Sequence, residues 1–329
     1  MGKHATSRLV DRFGRHINYL RLSVTDRCDL RCAYCIPEGF KGFEEPEHWL
    51  TFDEIERLLG VFAGLGLKRV RFTGGEPLLR RNVVDLCRRV SALPGIEDLS
   101  LSTNATQLAA MAADLKAAGV TRLNVSLDSL RPEAVARING RDVLPQILGG
   151  LETATAVGFS PIKLNMVVMQ ENADDVDDMV AFCLERGYVL RLIELMPMGD
   201  TARRMGYVDL QPVKARLQAR FGLVATVLPG GGPARYLGTT DGRFTVGFIT
   251  PMSQHFCDTC NRVRLTVDGV LHLCLGQEER VDFRALMRAG ATDADLEEAI
   301  LRAIDLKPER HEFREQPQKL VRFMNMTGG

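Results

Sequence analysis

Six strand-like segments alternate with five helix-like segments between residues 19 and 196, and this alternation limits the possible folds more than any other feature. The predicted strands are Leu20–Val24, Lys68–Phe72, Asp98–Ser102, Arg122–Leu127, Ile162–Val168 and Val189–Leu195. The predicted helices are Asp53–Gly64, Arg81–Leu93, Gln107–Ala118, Leu144–Val157 and Ala173–Arg186. Strands that alternate with amphipathic helices form parallel βαβ units. Six units predict an α/β fold with an incomplete (β/α)6 TIM-like barrel, whose active site lies at the carboxyl ends of the strands.

Beyond residue 198 this alternation stops. Pro229-Gly230-Gly231-Gly232-Pro233 is a flexible break. The predicted elements of this part are the strands Arg243–Ile249 and Arg262–Val267, a hairpin turn at Asp268-Gly269 and the helix Asp293–Ile304. We therefore expect two regions, a partial barrel over residues 1–198 and a smaller α+β region over residues 199–329 that covers the open side of the barrel.

The charge balance argues against a nucleic-acid or membrane partner. The chain has 42 basic and 42 acidic residues, no apolar run of membrane-spanning length and no secretion signal at its start. A neutral protein lacks long-range attraction to these polyanions, although its basic residues can still converge on a phosphorylated small molecule. Six of the eight cysteines fall in two tight groups, which is typical of metal binding in a reducing compartment. We expect a soluble cytoplasmic protein.

The first group, called the first trio below, is Cys28, Cys32 and Cys35 in the spacing C-x3-C-x2-C. Three thiolates are one short of a full set for a [4Fe–4S] cluster, so one iron keeps an open position that can chelate a small molecule. The trio follows the first predicted strand, where a barrel enzyme carries its active site. A zinc loop completed by a distant residue is the alternative, but the spacing is not the usual zinc pairing.

The segment Thr73-Gly74-Gly75-Glu76-Pro77, called the Gly-Gly box below, follows the second predicted strand. Two glycines allow the backbone to approach a ligand closely, and Glu76 adds a negative charge. Alone, the segment would be read as an ordinary strand-to-helix turn. Beside the first trio, it favours binding of an amino acid head group.

The second trio is Cys257, Cys260 and Cys274, in the spacing C-x2-C-x13-C. Alone it favours structural zinc with His255 or His272 as the fourth ligand. Together with the first trio it favours a second [4Fe–4S] cluster with an open iron. Arg262 and Arg264 share one face of the predicted strand that follows Cys260, where they could bind a triphosphate or form a solvated cationic edge.

The chain resembles the radical S-adenosylmethionine (SAM) superfamily and, within it, the GTP 3′,8-cyclase family of molybdenum cofactor (molybdopterin) biosynthesis. The resemblance covers nearly the whole chain. It rests on both trios, the Gly-Gly box, Asn124-Val125-Ser126-Leu127-Asp128, Ile193-Glu194-Leu195-Met196 and the final Gly328-Gly329. It implies a lyase with SAM and two [4Fe–4S] clusters as cofactors and GTP as substrate.

The resemblance also implies residue roles. The first trio would hold the cluster that binds SAM, and the second trio a cluster whose open iron contacts guanine. The SAM pocket would be lined by Tyr34, Gly75, Ser126 and Met196. The residues around GTP would be Arg21, Arg71, Lys163, Arg262, Val263 and Arg264, with a hydroxyl from Ser102 or Thr103. A catalytic contribution is implied for Arg262, Arg264, Gly328 and Gly329, because a tail without side chains would fit inside the active site.

The implied reaction begins when one electron cleaves SAM to methionine and a 5′-deoxyadenosyl radical. The radical removes the ribose 3′ hydrogen of GTP, and the C3′ radical attacks C8 of guanine. One electron and one proton then complete 3′,8-cyclo-7,8-dihydro-GTP. Implied partners are an electron donor and the downstream cyclic pyranopterin monophosphate synthase, and a homodimer is left open. A peptide- or RNA-modifying radical SAM enzyme and a non-catalytic module with two zinc sites are the alternatives.

Overall fold

The computed structural model describes residues 8–35, 46–228, 230–316, 318 and 322–328. In these ranges twelve strands form one continuous sheet. The strands are β1 (Tyr19–Ser23), β2 (Arg69–Thr73), β3 (Asp98–Thr103), β4 (Arg122–Ser126), β5 (Lys163–Val168), β6 (Val189–Glu194), β7 (Val224–Thr226), β8 (Arg235–Gly238), β9 (Thr245–Ile249), β10 (Arg262–Leu265), β11 (Val270–His272) and β12 (Arg280–Asp282). Their order across the sheet is β12-β11-β10-β1-β2-β3-β4-β5-β6-β9-β8-β7.

The helices pack beside this sheet and contribute to one large apolar core. They are α1 (Phe52–Gly64), α2 (Val83–Ser91), α3 (Leu108–Ala117), α4 (Pro132–Asn139), α5 (Leu144–Ala156), α6 (Val176–Arg186), α7 (Gly199–Arg204), α8 (Leu210–Phe221), α9 (Phe283–Arg288), α10 (Asp293–Asp305) and α11 (Met324–Thr327). Among the described helices, none has both the length and the hydropathy needed to cross a bilayer.

The six predicted strand–helix units are confirmed, and the sheet they build is open. Strands β1 to β6 lie side by side and parallel in chain order. The C-terminal region adds a parallel strand at each edge, β10 beside β1 and β9 beside β6, and each added strand continues into an antiparallel hairpin. In the described strand order β9 and β10 are not neighbours, so the barrel is incomplete, as predicted. The C-terminal region therefore adds strands to both edges of the sheet that the first six strands form.

Helix α1 illustrates how the sequence sets these units. Thr51 accepts a hydrogen bond from Glu54 N at 3.1 Å, and the Glu54 carboxylate accepts one from Thr51 N at 2.8 Å. This reciprocal capping satisfies two backbone donors that the first turn leaves unpaired. Ile55, Leu58 and Phe62 then recur on one face and are buried in the large apolar core. The cap fixes where the helix starts, and the apolar face fixes its orientation.

Five described helices, α4, α7, α8, α9 and α11, were not predicted, and for α4 and α8 the reason can be identified. Helix α4 has only eight residues, between a proline at its start and Gly140 in the left-handed conformation at its end. Helix α8 buries only Leu210 and Leu217, so its sequence shows no broad apolar stripe. Hydrophobic periodicity identifies a helix from a wide apolar face that continues over several turns, and neither of these helices has such a face.

Candidate active site

One cavity of about 250 Å³ lies at the carboxyl ends of the central strands. Thr73, Thr103, Ser126 and Glu194, each the last residue of its strand, line it. All six cysteines of the two trios line the same cavity. Chain segments almost 230 residues apart therefore meet at one site, as expected for a barrel enzyme.

Most residues with an implied role reach this cavity. The lining includes all four residues implied for SAM, which are Tyr34, Gly75, Ser126 and Met196. It also includes Arg21, Arg71, Ser102, Arg262, Val263 and Arg264 from the set implied for GTP. Lys163 is not part of the lining.

The loop that carries the first trio is fastened to the Gly-Gly box. Gly75 N donates to Thr25 O at 2.8 Å, and Glu76 N donates to Arg27 O at 2.7 Å. A Cβ atom added at Gly74 would lie 2.2 Å from Thr25 O. One added at Gly75 would lie 2.1 Å from Arg27 O. Both glycines are thus required by contact between the two loops, a reason that differs from the ligand contact expected from sequence.

The thiols of the first trio lie in surroundings that disfavour a free thiolate. Burial raises the pKa of Cys28 to about 12, and the Glu76 carboxylate adds to the rise. Burial also raises the pKa of Cys35 to about 12 and that of Cys32 well above its usual value. Thiolates become stable in such a site when a metal supplies positive charge.

A buried carboxylate decides which hydroxyl is free near the first trio. Glu76 is 1% exposed and accepts hydrogen bonds from Thr103 Oγ1 at 2.7 Å and from Asn104 N at 2.6 Å. Burial nevertheless raises the pKa of Glu76 to about 7. Ser102 Oγ, by contrast, is buried at the cavity wall with no hydrogen-bond partner among the described residues. Ser102 is therefore the hydroxyl that remains free to contact a ligand.

Basic side chains surround the second trio. Arg15 Nη1 donates to Cys257 O at 2.9 Å, and Lys307 Nζ donates to the backbone carbonyl of the residue before Cys274. Burial alone would raise the pKa of Cys260, but the charges of Arg262 and Lys307 outweigh it and lower the pKa to about 6. The second trio thus differs from the first in having cations close to its thiols.

Neither histidine proposed as a fourth zinc ligand is well placed for that role. His255 is exposed and outside the cavity lining. His272 lines the cavity, but its Nδ1 lies 2.6 Å from Arg322 Nη1, and burial together with Arg322 lowers its pKa to about 3. Across the described ranges, no three Cys, His, Asp or Glu side chains converge as ligands of a single metal ion. A [4Fe–4S] cluster takes its three thiolates at three different irons, so the trios fit it better than one zinc ion.

Three arginines lie side by side on the cavity wall. The parallel register places Arg71 beside Arg21 and Arg21 beside Arg264, on β2, β1 and β10. Burial lowers the pKa of Arg21 well below its usual value, and Arg264 adds to the effect. Burial and the neighbouring Arg262 lower the pKa of Arg264 to about 9. Adjacent buried cations repel one another, and a bound polyanion would offset this repulsion. The row is therefore suited to a phosphate chain.

Arg191 belongs to the site although the sequence reasoning missed it. It lines the cavity from β6, its guanidinium donates to Asn124 Oδ1, and its Nε is buried without a hydrogen-bond partner in the described part of the chain. Lys163 is not in the lining, but it shares a face of β5 with Asn165 and Val167, which are, and its Nζ lies 3.4 Å from Tyr236 OH. Burial, with Arg191 as the next cause, lowers the pKa of Lys163 to about 7. A charge inside an apolar predicted strand was the signal that could have identified Arg191.

The C-terminal tail reaches the same site. Arg264 Nη1 donates to Thr327 O at 3.2 Å and also to Gly328 O. Gly328 has φ +70°, and a Cβ atom added there would lie 2.0 Å from Thr73 Oγ1. Only glycine fits between the Gly-Gly box and the arginine row at this position. Gly329, the other predicted tail residue, lies outside the described residues.

Comparisons with known proteins agree with this geometry. The radical SAM superfamily profile matches residues 22–183, and the Molybdenum Cofactor Synthesis C profile matches residues 188–313. A protein of Ectopseudomonas mendocina (strain ymp) named GTP 3′,8-cyclase is 46% identical and covers 98% of this chain and 99% of its own. Another from Marinobacter nauticus, of the same name, is 44% identical over 98% of this chain and 99% of its own. The chain belongs to the GTP 3′,8-cyclase family.

The fold of this cyclase family member also resembles a solved radical SAM structure. Streptococcus suis SuiB bound to S-adenosylmethionine matches with a TM-score of 0.61 and 15% sequence identity. The match covers 87% of this chain and 68% of that chain. At this identity the likeness concerns the fold alone, and it supports the incomplete barrel.

In this cyclase family member Glu194 connects the barrel to the C-terminal region. Glu194 is fully buried at the end of β6 and lines the cavity. It accepts hydrogen bonds from Met252 N at 2.8 Å and Ser253 N at 2.9 Å, and its other oxygen accepts the Ser253 hydroxyl. Tyr207 OH and Leu210 N lie 3.3 and 3.4 Å from the same oxygen. One carboxylate thus holds the loop after β9 and the start of α8 against the cavity.

Proposed function

We propose that the protein is a radical SAM GTP 3′,8-cyclase that joins C3′ of the ribose to C8 of guanine in the first step of molybdenum cofactor biosynthesis. The observation that carries this proposal is the single cavity in which both cysteine trios meet a row of buried arginines. Family membership supplies the reaction. A row of buried arginines in the same cavity as two incompletely ligated metal sites supports a nucleoside triphosphate as the substrate.

The donor set fits two [4Fe–4S] clusters, the first held by Cys28, Cys32 and Cys35. The second would be held by Cys257, Cys260 and Cys274. When bound, the first cluster supplies the electron that cleaves SAM, and an open iron on the second offers a contact for guanine. Each trio leaves one iron without a protein thiolate, as binding of a small molecule requires.

On the SAM side, the protein's contribution is positioning. Tyr34 OH donates to Asp128 Oδ2 at 2.9 Å, and Asp128 Oδ1 also accepts from Val167 N at 2.8 Å. This anchored ring would form one wall of the SAM pocket, with Gly75, Ser126 and Met196 as its other proposed residues. A rigid wall keeps the reactive C5′ of SAM near one hydrogen of the substrate and excludes water.

On the GTP side, charge and hydrogen bonding orient the substrate. GTP carries about four negative charges, and Arg71, Arg21 and Arg264 present a continuous row of donors to them. Arg262 and Val263 would extend this surface, and the unpartnered Ser102 hydroxyl would add a neutral contact. Lys163, on the same face of β5 as the cavity-lining Asn165, would add positive charge next to this surface.

The tail would complete the substrate pocket. Because Arg264 holds the carbonyls of Thr327 and Gly328, the tail fixes the direction of that guanidinium beside the substrate. We assign the catalytic contribution of Gly328 to this contact, and propose one for Gly329 from the family resemblance alone.

Further parts of the proposal concern organisation and cellular context. We divide the chain into a radical SAM partial barrel over residues 1–198 and a C-terminal region over residues 199–329. We place its activity in the cytoplasm, a compartment in which eight free cysteines remain reduced. An electron donor, the synthase that consumes the product and a homodimeric assembly are proposed partners from the family resemblance.

The test is anaerobic turnover of the reconstituted protein with SAM, GTP and dithionite. We expect 5′-deoxyadenosine and 3′,8-cyclo-7,8-dihydro-GTP in equal amounts, and loss of both after Cys28→Ala. Cys87→Ala is the matched control, because Cys87 is a buried core residue of α2 outside the cavity. Formation of 5′-deoxyadenosine without a product from GTP would reject the substrate while leaving a radical SAM enzyme.

A further inference from the structure

In the described part of the chain, three buried cations hold the backbone around the second trio, and one of them pairs with no carboxylate. Arg15 Nη1 donates to Cys257 O, but Arg15 Nε also pairs with Asp11 at 2.6 Å. Arg322 Nη2 donates to Leu275 O, but Arg322 Nε pairs with Glu278 at 3.0 Å. The third cation, Lys307, is different.

Lys307 follows α10, and its side chain is almost completely buried, with 1% exposure. Its Nζ donates to Leu273 O, the carbonyl directly before Cys274, and Lys307 lines the cavity. No carboxylate in the described ranges forms an ion pair with it. An ammonium buried in this way places a full positive charge beside the trio, where little solvent screens it.

The other cations near the second trio either pair with a carboxylate or face the cavity that would hold the substrate. Arg262 and Arg264 face the cavity, where the phosphates of GTP would neutralise them under the proposed function. Lys307 instead donates to a protein carbonyl, so its charge remains beside the cluster whether or not GTP is bound.

The first trio has the opposite surroundings. Glu76 and Asp128 are buried near it, and Asp29 accepts a hydrogen bond from Asn104 Nδ2 at 2.8 Å beside Cys28. Among the described residues, the half-buried Arg31 is a cation that bonds its backbone, donating to Cys28 O at 2.7 Å. Carboxylates therefore dominate the charge around the first trio, and cations dominate it around the second.

We propose that Lys307 is an electrostatic positioning residue that raises the reduction potential of the cluster on the second trio above that of the cluster on the first. Reduction adds one electron to a cluster and hence one negative charge. A fixed positive charge nearby stabilises the reduced form, and nearby carboxylates destabilise it. The second cluster is thus the easier of the two to reduce. This inference rests on the two-cluster assignment of the proposed function.

The test is a potential titration of full-length reconstituted protein, followed by electron paramagnetic resonance. Each cluster is assigned in a chain that lacks the other trio, through Cys28→Ala/Cys32→Ala/Cys35→Ala or Cys257→Ala/Cys260→Ala/Cys274→Ala. We expect Lys307→Met to weaken reduction of the second cluster about tenfold, which corresponds to about 59 mV for one electron, and to leave the first cluster unchanged. Lys307→Arg, which keeps the charge, should restore the potential.

Lys116→Met is the matched control. Lys116 also donates to a backbone carbonyl, Gly158 O at 3.1 Å, but it is exposed on α3 and outside the cavity. An equal potential for the second cluster in Lys307→Met and Lys116→Met overturns the proposal. If Lys307→Met does not retain the second cluster, the proposal is tested by the reduction potentials of the two clusters in the wild-type protein. A second cluster that is no easier to reduce than the first overturns the proposal. Iron analysis that finds a single cluster would instead reject the proposed function.

Discussion

The two sides of the cavity differ in charge although each supplies three thiols. Around the first trio, burial and acidic neighbours raise the thiol pKa values, to about 12 for Cys28 and Cys35. Around the second trio, burial raises the pKa of Cys257 and Cys274, but the charges of Arg262 and Lys307 lower the pKa of Cys260 to about 6. A site that must deliver a strongly reducing electron gains from negative surroundings, and a site that must receive a polyanionic nucleotide gains from positive ones. Two sites with the same number of cysteine thiols can therefore serve different chemical tasks when their surrounding charges differ.

The largest expected effect separates the two trios by product. Cys28→Ala should abolish 5′-deoxyadenosine formation, because no cluster remains to cleave SAM. Cys257→Ala should retain SAM cleavage but lose the cyclised product, since the proposed guanine contact would be lost. Chromatography of both products makes the comparison. Loss of SAM cleavage in both variants, at unchanged first-cluster iron content, would contradict the division of tasks.

The arginine row gives the next effect. Arg21→Met should weaken GTP binding by about 1.5–3 kcal/mol, the typical loss for a hydrogen bond to a charged group. That is about tenfold to more than hundredfold in Kd. SAM affinity should not change, because the proposed function assigns Arg21 to the GTP side. Isothermal titration with each ligand measures both, and equal weakening of SAM and GTP binding would break the distinction between the sides.

Lys163 predicts a pH dependence of stability. Its pKa is about 7 in the folded protein and about 10.5 when unfolded. The unfolded chain therefore binds more protons between these values, and the free energy of unfolding should rise with pH from about 7 to 10. Relative to Lys163→Met, the slope approaches about 1.4 kcal/mol per pH unit. Parallel pH profiles of the two proteins under denaturant check this, and coincident profiles would contradict it.

The smallest effect concerns the tail. Gly328→Ala should lower kcat with both clusters intact, because its Cβ would meet Thr73. Gly242→Ala is the matched control, since Gly242 has a similar φ of +71° but open space around it. Both variants carry a backbone cost of about 1 kcal/mol, so only the difference between them reports the contact. Equal kcat values for Gly328→Ala and Gly242→Ala would contradict a role of the tail in the active site.

The sequence predicted the barrel well and the cavity wall incompletely. Strand β3 began at Asp98 as predicted, and the turn at Asp268-Gly269 joins β10 to β11, because alternation and turn chemistry are local signals. The roles of Lys307 and Glu194 were not visible, because they depend on contacts with residues 34 and 59 positions away. The sequence also could not show that Glu76 accepts a hydrogen bond from Thr103, while Ser102 Oγ has no partner among the described residues.

The central claim is that two open clusters face one cavity, one toward SAM and the other toward GTP. The direct test is electron–nuclear double resonance on the reduced protein with isotopically labelled ligands. We predict that the label in the SAM carboxylate couples only to the cluster of the first trio, and the label in guanine only to the cluster of the second. Both labels coupling to one cluster, or neither coupling to the second, would contradict the account.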